Sequence, residues 1–210
     1  MTTTGTAKVG SRRDPDRRRA LLEAADRVIR REGPEASMAA IAAEAGISKP
    51  ILYRHFGDKS GLYQALAERH TRRLVAEIRA QFSRPGSVRA RTRSTIDTYL
   101  ATTSANLNLY RFLMHRAGAE DAAARSVMST MIREVSRELA EVMIAEGDGI
   151  DPVRAYVWGH AVVGMVQTAG DWWLDHAGEV PRAVVVDSLA DLILAGLPGG
   201  LPRRPAEPCH

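Results

Sequence analysis

Cysteine is almost missing from this chain: among 210 residues there is one, Cys209, beside the last position. An intrachain disulfide is excluded, and so is a zinc site built on several cysteines. Aromatic residues are scarce at 5%. Alanine, arginine and leucine abound instead, a bias that favours helices. No apolar run reaches the roughly 18 residues that a membrane-spanning helix needs. The opening "MTTTGTAKVGSRRDPDRRR" has no apolar stretch and does not read as a secretory signal. These absences lead to the expectation of a cytoplasmic protein with no membrane partner. The six histidines (His55, His70, His115, His160, His176 and His210) form no H-E-x-x-H pair, and there is neither a G-x-S-x-G elbow nor a phosphate-cradling glycine loop. No catalytic residue, metal site or cofactor is expected.

The charge that is present is unevenly placed. The net charge is +4, with residues 1–60 holding 12 Lys/Arg against 8 Asp/Glu and the remainder holding 17 of each. A basic end on a neutral body suits a polyanion partner, although a solvated tail has the same composition. Hydrophobic residues make up 45% of the chain, enough for a real core.

Apolar residues recur at helical spacing throughout, which predicts an all-α fold. A first helix is expected from Pro15 to Arg31, with Leu21, Ala24, Ala25, Val28 and Ile29 on one stripe and Gly33-Pro34 ending it. Ser37 caps a second helix from Met38 to Ala45, and Gly46 suits the left-handed residue after it. Ser48 caps a third from Lys49 to about His55, and Asp58 a long fourth to about Phe82. Beyond the break "SRPGS", helices are expected near 88–106, 107–117, 119–146, 152–177 and 181–196. "VVV" at 184–186 is too short and isolated to pair as a strand. The segments expected are a flexible basic arm (1–14), a small helical domain (15–62), a larger helical domain (63–197) and a flexible tail (198–210).

The segment "GISKPILYRHFGDKSGLY" at 46–63 carries the chemistry. Two short helices joined by "AGIS" form a helix-turn-helix pattern. Leu52 and Phe56 are four apart and face inward with Ile47. Lys49 and Tyr53 are four apart on another face, beside Pro50 and Arg54. A helix lying in the major groove needs cations and hydroxyls at its edges for phosphate, and donors or small apolar groups at its centre for base edges. Lys49 can donate to guanine, Pro50 and Ile51 can touch a thymine methyl, and Tyr53 and His55 can donate to phosphate. Proline is tolerated because a first-turn N–H lacks an intrahelical partner. An ordinary amphipathic helix with a solvated face explains any one of these residues, but not the set together with a basic first helix.

These residues carry a resemblance. "LLEAADRVIRREG" (21–33), "MAAIAAEAGIS" (38–48), "ILYRHFGDK" (51–59) and Leu62 resemble the DNA-binding domain of the tetracycline-repressor (TetR) family over about 46 residues. The resemblance implies that Lys49, Pro50 and Ile51 approach bases, and that Tyr53, His55 and Lys59 bind phosphate. It also implies that Ser37 touches the backbone, with Ser48 and Arg54 in the same surface. Relatives often carry an acidic residue where this chain has Gly61, which implies a looser first turn of the fourth helix. They often carry a small or hydroxylated residue at Ile51, so the operator read is this chain's own. The resemblance further implies a homodimer built on the last two helices and a pocket in each C-terminal domain.

The residues agree with such an arrangement. Trp158, Val162, Met165 and Trp172 recur at helical spacing, and Gly159, Gly164 and Gly170 would admit another backbone. Val185, Leu189, Leu192 and Ile193 form a second apolar face, and the two together are the expected dimer contact. The pocket candidates are Tyr99, Leu109, Tyr110, Leu113 and Met114, with Val162, Met165, Val166 and Trp172 opposite. Charges are few in 95–115 and 155–175, which points to an apolar ligand with one or two polar anchors. "GMVQTAGDWWL" also resembles actinobacterial regulators that sense long acyl chains. The expected function is a dimeric repressor of a palindromic duplex operator controlled by an apolar small molecule, a fatty acyl group foremost. Alternatives are a drug- or sterol-responsive repressor of an efflux or catabolic operon, and a small-molecule-binding helical protein or enzyme without DNA binding.

Overall fold

The computed structural model describes residues 13–118, 122–147 and 149–196. Among the described residues there are nine α-helices and no strand. They are α1 (Arg13–Glu32), α2 (Met38–Glu44), α3 (Lys49–Phe56), α4 (Lys59–Phe82), α5 (Val88–Ala105), α6 (Leu107–Gly118), α7 (Ala122–Glu146), α8 (Pro152–Asp175) and α9 (Arg182–Ala195), with one 3-10 turn at Gly33–Glu35. Valines 184–186 lie inside α9. The expected arm and tail lie outside the described residues, except that Arg13 and Asp14 open α1.

Local chemistry sets the helix boundaries. The Ser37 hydroxyl accepts from the Ala40 N–H at 3.1 Å and starts α2. The Asp58 carboxylate accepts from the Gly61 N–H at 2.7 Å and starts α4. Gly46, at φ +65°, takes the left-handed turn out of α2 that a side chain would strain. Asp151 caps α8, whose first residue is Pro152, where no backbone donor is lost.

The described residues cluster into two compact units, one drawn from Met1–Arg73 and Ala105–Thr130, the other from Leu74–Ser104 and Met131–His210. The first is built on one apolar cluster. Val28 and Ile29 of α1, Ile41 of α2, Leu52 and Phe56 of α3 and Leu62 and Leu66 of α4 meet there, joined by Leu109 and Phe112 of α6. Burying such side chains contributes about 1.5–3 kcal/mol each relative to exposure. Polar clamps fix the register around the cluster. Asp26, buried on α1, holds His70 of α4 at 2.6 Å. Arg27 and Arg31 of α1 grip Glu44 of α2, and these guanidiniums hold its carboxyl below the usual carboxylate range. The Asn108 amide donates to the Arg30 carbonyl at 2.7 Å, which satisfies a free acceptor at the end of α1.

In the second unit, α4 (from Leu74), α5, α7 (from Met131), α8 and α9 surround a separate core. Val75, Ile78 and Val135 are buried there, with Phe82, Tyr99 and Val163 packed against them. Gly159 of α8 is buried against α7 and Gly170 against Tyr99 and Leu100 of α5. Two of the three glycines that the sequence offered for contact with another backbone thus serve packing within the chain. An ion-pair ladder runs down α5: Arg89 meets Asp191, Arg93 meets Asp187, and Asp97 accepts from Arg182 at 2.7 Å. The three α5 positions are spaced four apart, and their partners sit in reverse order on or at the start of α9, as an antiparallel pair requires.

Candidate functional site

The helix-turn-helix of the first unit presents one side of α3 to solvent. Leu52 and Phe56 are buried, while Lys49, Pro50, Tyr53 and Arg54 are exposed. Tyr53 is 37% exposed. Lys59, at the first position of α4, is exposed, and its ammonium lies 5.6 Å from the centroid of the Tyr63 ring. Arg18 of α1 stacks its guanidinium 5.0 Å from the Phe56 ring. Two cations are therefore placed by aromatic faces at the edges of the α3 surface, where phosphates of a duplex would lie. Ser37 is exposed; its oxygen is engaged in the cap but its O–H remains free to donate.

Three expectations need adjustment. Ser48 occupies the N-cap position of α3, yet its side chain makes no capping bond. The residue is exposed. Ile51 and His55 are half-buried rather than displayed, because each is one residue from a core position of the same short helix. The first turn of α4 is tight, not loose. A β-carbon at Gly61 would stand 2.0 Å from the Phe56 carbonyl oxygen, so a side chain there would require this α3–α4 turn to shift.

The second unit encloses a cavity of about 410 Å³, within the size range of small-molecule sites. Its walls come from Leu74, Ile78 and Phe82 of α4, Ile96 and Tyr99 of α5, Met131, Val135 and Leu139 of α7, and Val162, Val163 and Val166 of α8. Trp158 of α8 and Ile193 of α9 also line it. Polar groups are sparse: Arg91, Thr92 and Thr95 on α5, Gln167 on α8 and Glu146 on α7.

Of the nine pocket candidates, Tyr99, Val162 and Val166 line this cavity and the other six do not. Leu109 is buried in the first unit's core and Leu113 packs against it. Tyr110 and Met114 are half-buried on the same helix, α6. Met165 is half-buried on α8 outside the cavity wall. Trp172 is 52% exposed and stacks on His176 at 4.8 Å. The wall residues that sequence reasoning passed over had a signal. Leu74, Ile78 and Phe82 recur at i, i+4, i+8, and Val135, Leu139 and Val142 at i, i+4, i+7.

The α9 residues expected at a dimer contact are mostly covered within the single chain. Val185 and Leu189 are buried inside their own chain, Ile193 lines the cavity and Leu192 is half-buried. The large apolar side chains left exposed on the same two helices are Val153, Tyr156, Val157 and the expected Trp158 and Trp172 on α8, and Val184 and Leu194 on α9. None of the described helices is long and apolar enough to cross a membrane.

Comparison with known proteins agrees with both halves. The family description "Bacterial regulatory proteins, tetR family" matches residues 21–66, and "Tetracyclin repressor-like, C-terminal domain" matches residues 77–204. An uncharacterised HTH-type transcriptional regulator of Mycobacterium tuberculosis is 32% identical over 164 residues, covering 76% of this chain and 68% of that protein. The HTH-type transcriptional activator FasR of Mycolicibacterium smegmatis is 25% identical over 187 residues, covering 88% and 84%. The fold is shared with a tetR-family regulator of Streptomyces coelicolor at a TM-score of 0.72 and 22% identity, over 86% of this chain and 80% of that one. It is shared with FadR of Bacillus subtilis, solved in complex with stearoyl-CoA, at a TM-score of 0.69 and 15% identity, over 85% and 98%. With an exposed basic α3 in a helix-turn-helix and family matches across both units, the chain is a DNA-binding transcriptional regulator and not an enzyme, and it belongs to the TetR family.

Proposed function

We propose that the chain is a ligand-responsive repressor that binds a palindromic operator as a homodimer and is released by a fatty acyl ligand held in the second unit's cavity. The observation that carries the reading is the course of α4. It begins at Lys59, among the cations beside α3, and ends in Leu74, Ile78 and Phe82 on the cavity wall. A ligand that fills the cavity and displaces the end of α4 changes how the α3 helices of a dimer are spaced, and only such a differential effect couples two sites. The cavity chemistry supports an apolar ligand, since its walls are mainly aliphatic and aromatic on four helices. A chain, rather than a compact drug or sterol, fits walls that run from Leu74 to Phe82 along one helix and from Met131 to Met143 along another. The Bacillus FadR relative was solved with a fatty acyl thioester, which agrees with this class.

The dimer contact we assign to the exposed apolar residues of α8 and α9, notably Val153, Val157 and Val184, which are 52–70% exposed in a single chain. A name among the relatives favours a second reading, because FasR is an activator. In that reading the same apparatus turns transcription on. Selection of bound duplexes from a random pool, followed by a salt series on the winner, tests the proposal. An inverted repeat with half-sites about one helical turn, roughly 34–36 Å, apart is the result in its favour. Affinity that falls steeply with salt supports phosphate contact. Failure to enrich any duplex would remove the DNA-binding role of α3.

A further inference from the structure

We propose that the cavity takes a long-chain anionic amphiphile with a free carboxylate, and that this head group displaces Glu146 from Arg91. The inference rests on the reading of the cavity as an effector site and names the chemistry of its polar end. Among the described residues lining the cavity, Arg91 and Glu146 are the charged ones, and they pair with each other. Their exposures differ. The Arg91 side chain is 19% exposed and that of Glu146 46%. The cation is thus largely fixed in the wall, with a second contact to the Gly86 carbonyl at 3.4 Å, whereas the carboxylate stands half in water. Releasing Glu146 to solvent costs little, while leaving Arg91 without an anion costs more. An incoming carboxylate satisfies both conditions.

Thr95 supplies the second half of the site. It lies one helical turn after Arg91 on α5 and lines the same cavity. Its hydroxyl oxygen is enclosed and has no hydrogen-bond partner. A buried hydroxyl left unpaired is unfavourable, and this one belongs to a cavity-lining residue four positions from Arg91. A carboxylate has two oxygens, one for the Arg91 fork and one for the Thr95 O–H. The remaining wall is mostly apolar, with Thr92 and Gln167 its other polar side chains, which leaves the charge at one end and the chain along the rest.

Tryptophan fluorescence of the full-length, delipidated protein reads binding, since Trp158 lines the cavity. The probes are hexadecanoate, hexadecan-1-ol and hexadecanoyl-coenzyme A, each below its aggregation limit. Hexadecanoate is expected to bind at least about tenfold more tightly than the alcohol, the scale of one charge-assisted hydrogen bond. Arg91→Gln should remove that preference while the alcohol stays within about twofold of its original affinity, which also shows an intact cavity. Glu146→Gln should tighten hexadecanoate severalfold, because the competing anion is gone. Thr95→Val should weaken the acid and not the alcohol. Equal affinity for acid and alcohol, or a preference that survives Arg91→Gln, overturns the head-group assignment and leaves the apolar cavity standing. A thioester that binds more tightly than the acid also overturns it. If none of the three ligands binds, both the head-group assignment and the effector-site reading fall.

Discussion

Gly159 on α8 faces the carbonyl oxygen of Ser136 on α7 so closely that a β-carbon at residue 159 would stand 2.4 Å from that oxygen. The two helices cross backbone to backbone here, and Ser136 is fully buried. Both helices also contribute residues to the cavity lining.

Gly159→Val should therefore force α7 and α8 apart. The expected loss is about 1–3 kcal/mol, typical of overpacking, and it should appear as a lower thermal midpoint by circular dichroism. An unchanged midpoint would mean that the crossing is looser than described.

Arg79 of α4 and Glu138 of α7 form a bidentate ion pair, with Arg79 Nε donating to Glu138 Oε2 at 2.9 Å. Glu138 is 9% exposed, whereas the Arg79 side chain is 60% exposed. Solvent screening of Arg79 keeps the effect of Arg79→Ala small, and what remains comes mainly from leaving Glu138 enclosed without its partner. It should read as a lower thermal midpoint. Because the pair joins two cavity-lining helices, the same variant should also alter ligand affinity.

On α3, Lys49→Ala should weaken operator binding by roughly 1–3 kcal/mol and relax specificity, as loss of a base contact does. Tyr53→Phe should weaken all duplexes alike, as loss of a phosphate contact does. Both residues are exposed, so the thermal midpoint should stay put. Gel shifts with the operator and an unrelated duplex separate the two behaviours, and unchanged affinity in both variants would displace α3 from the groove.

Much of the first unit was legible because its signals are local. Ser37, Gly46 and Asp58 act through their own backbone neighbours, and Leu52 and Phe56 face inward by spacing alone. Helical period says which side of a helix is apolar, but not which helix covers it. Leu109 and Leu113 therefore looked like pocket residues, although α6 packs them into the core beside α1. Val185 and Leu189 looked like a dimer face for the same reason, although their own chain buries them.

That correction changes the dimer test. Leu189→Arg would bury a charge inside one chain and unfold it rather than split a dimer. Val157→Glu with Val184→Glu alters residues that are 60% and 52% exposed. Light scattering at micromolar concentration should show the wild type as a dimer and this double variant as a helical monomer. A wild-type monomer would contradict the assignment.

The central claim is the coupling between cavity and operator. Its most direct measurement is the operator dissociation constant of the full-length protein, with and without saturating hexadecanoate, at fixed salt. The account predicts weaker binding with ligand by a factor of about 5–150, the usual range of allosteric coupling. It also predicts that Arg91→Gln abolishes the response to the acid while leaving ligand-free operator affinity in place. Operator affinity that stays the same when the cavity is demonstrably occupied would contradict it.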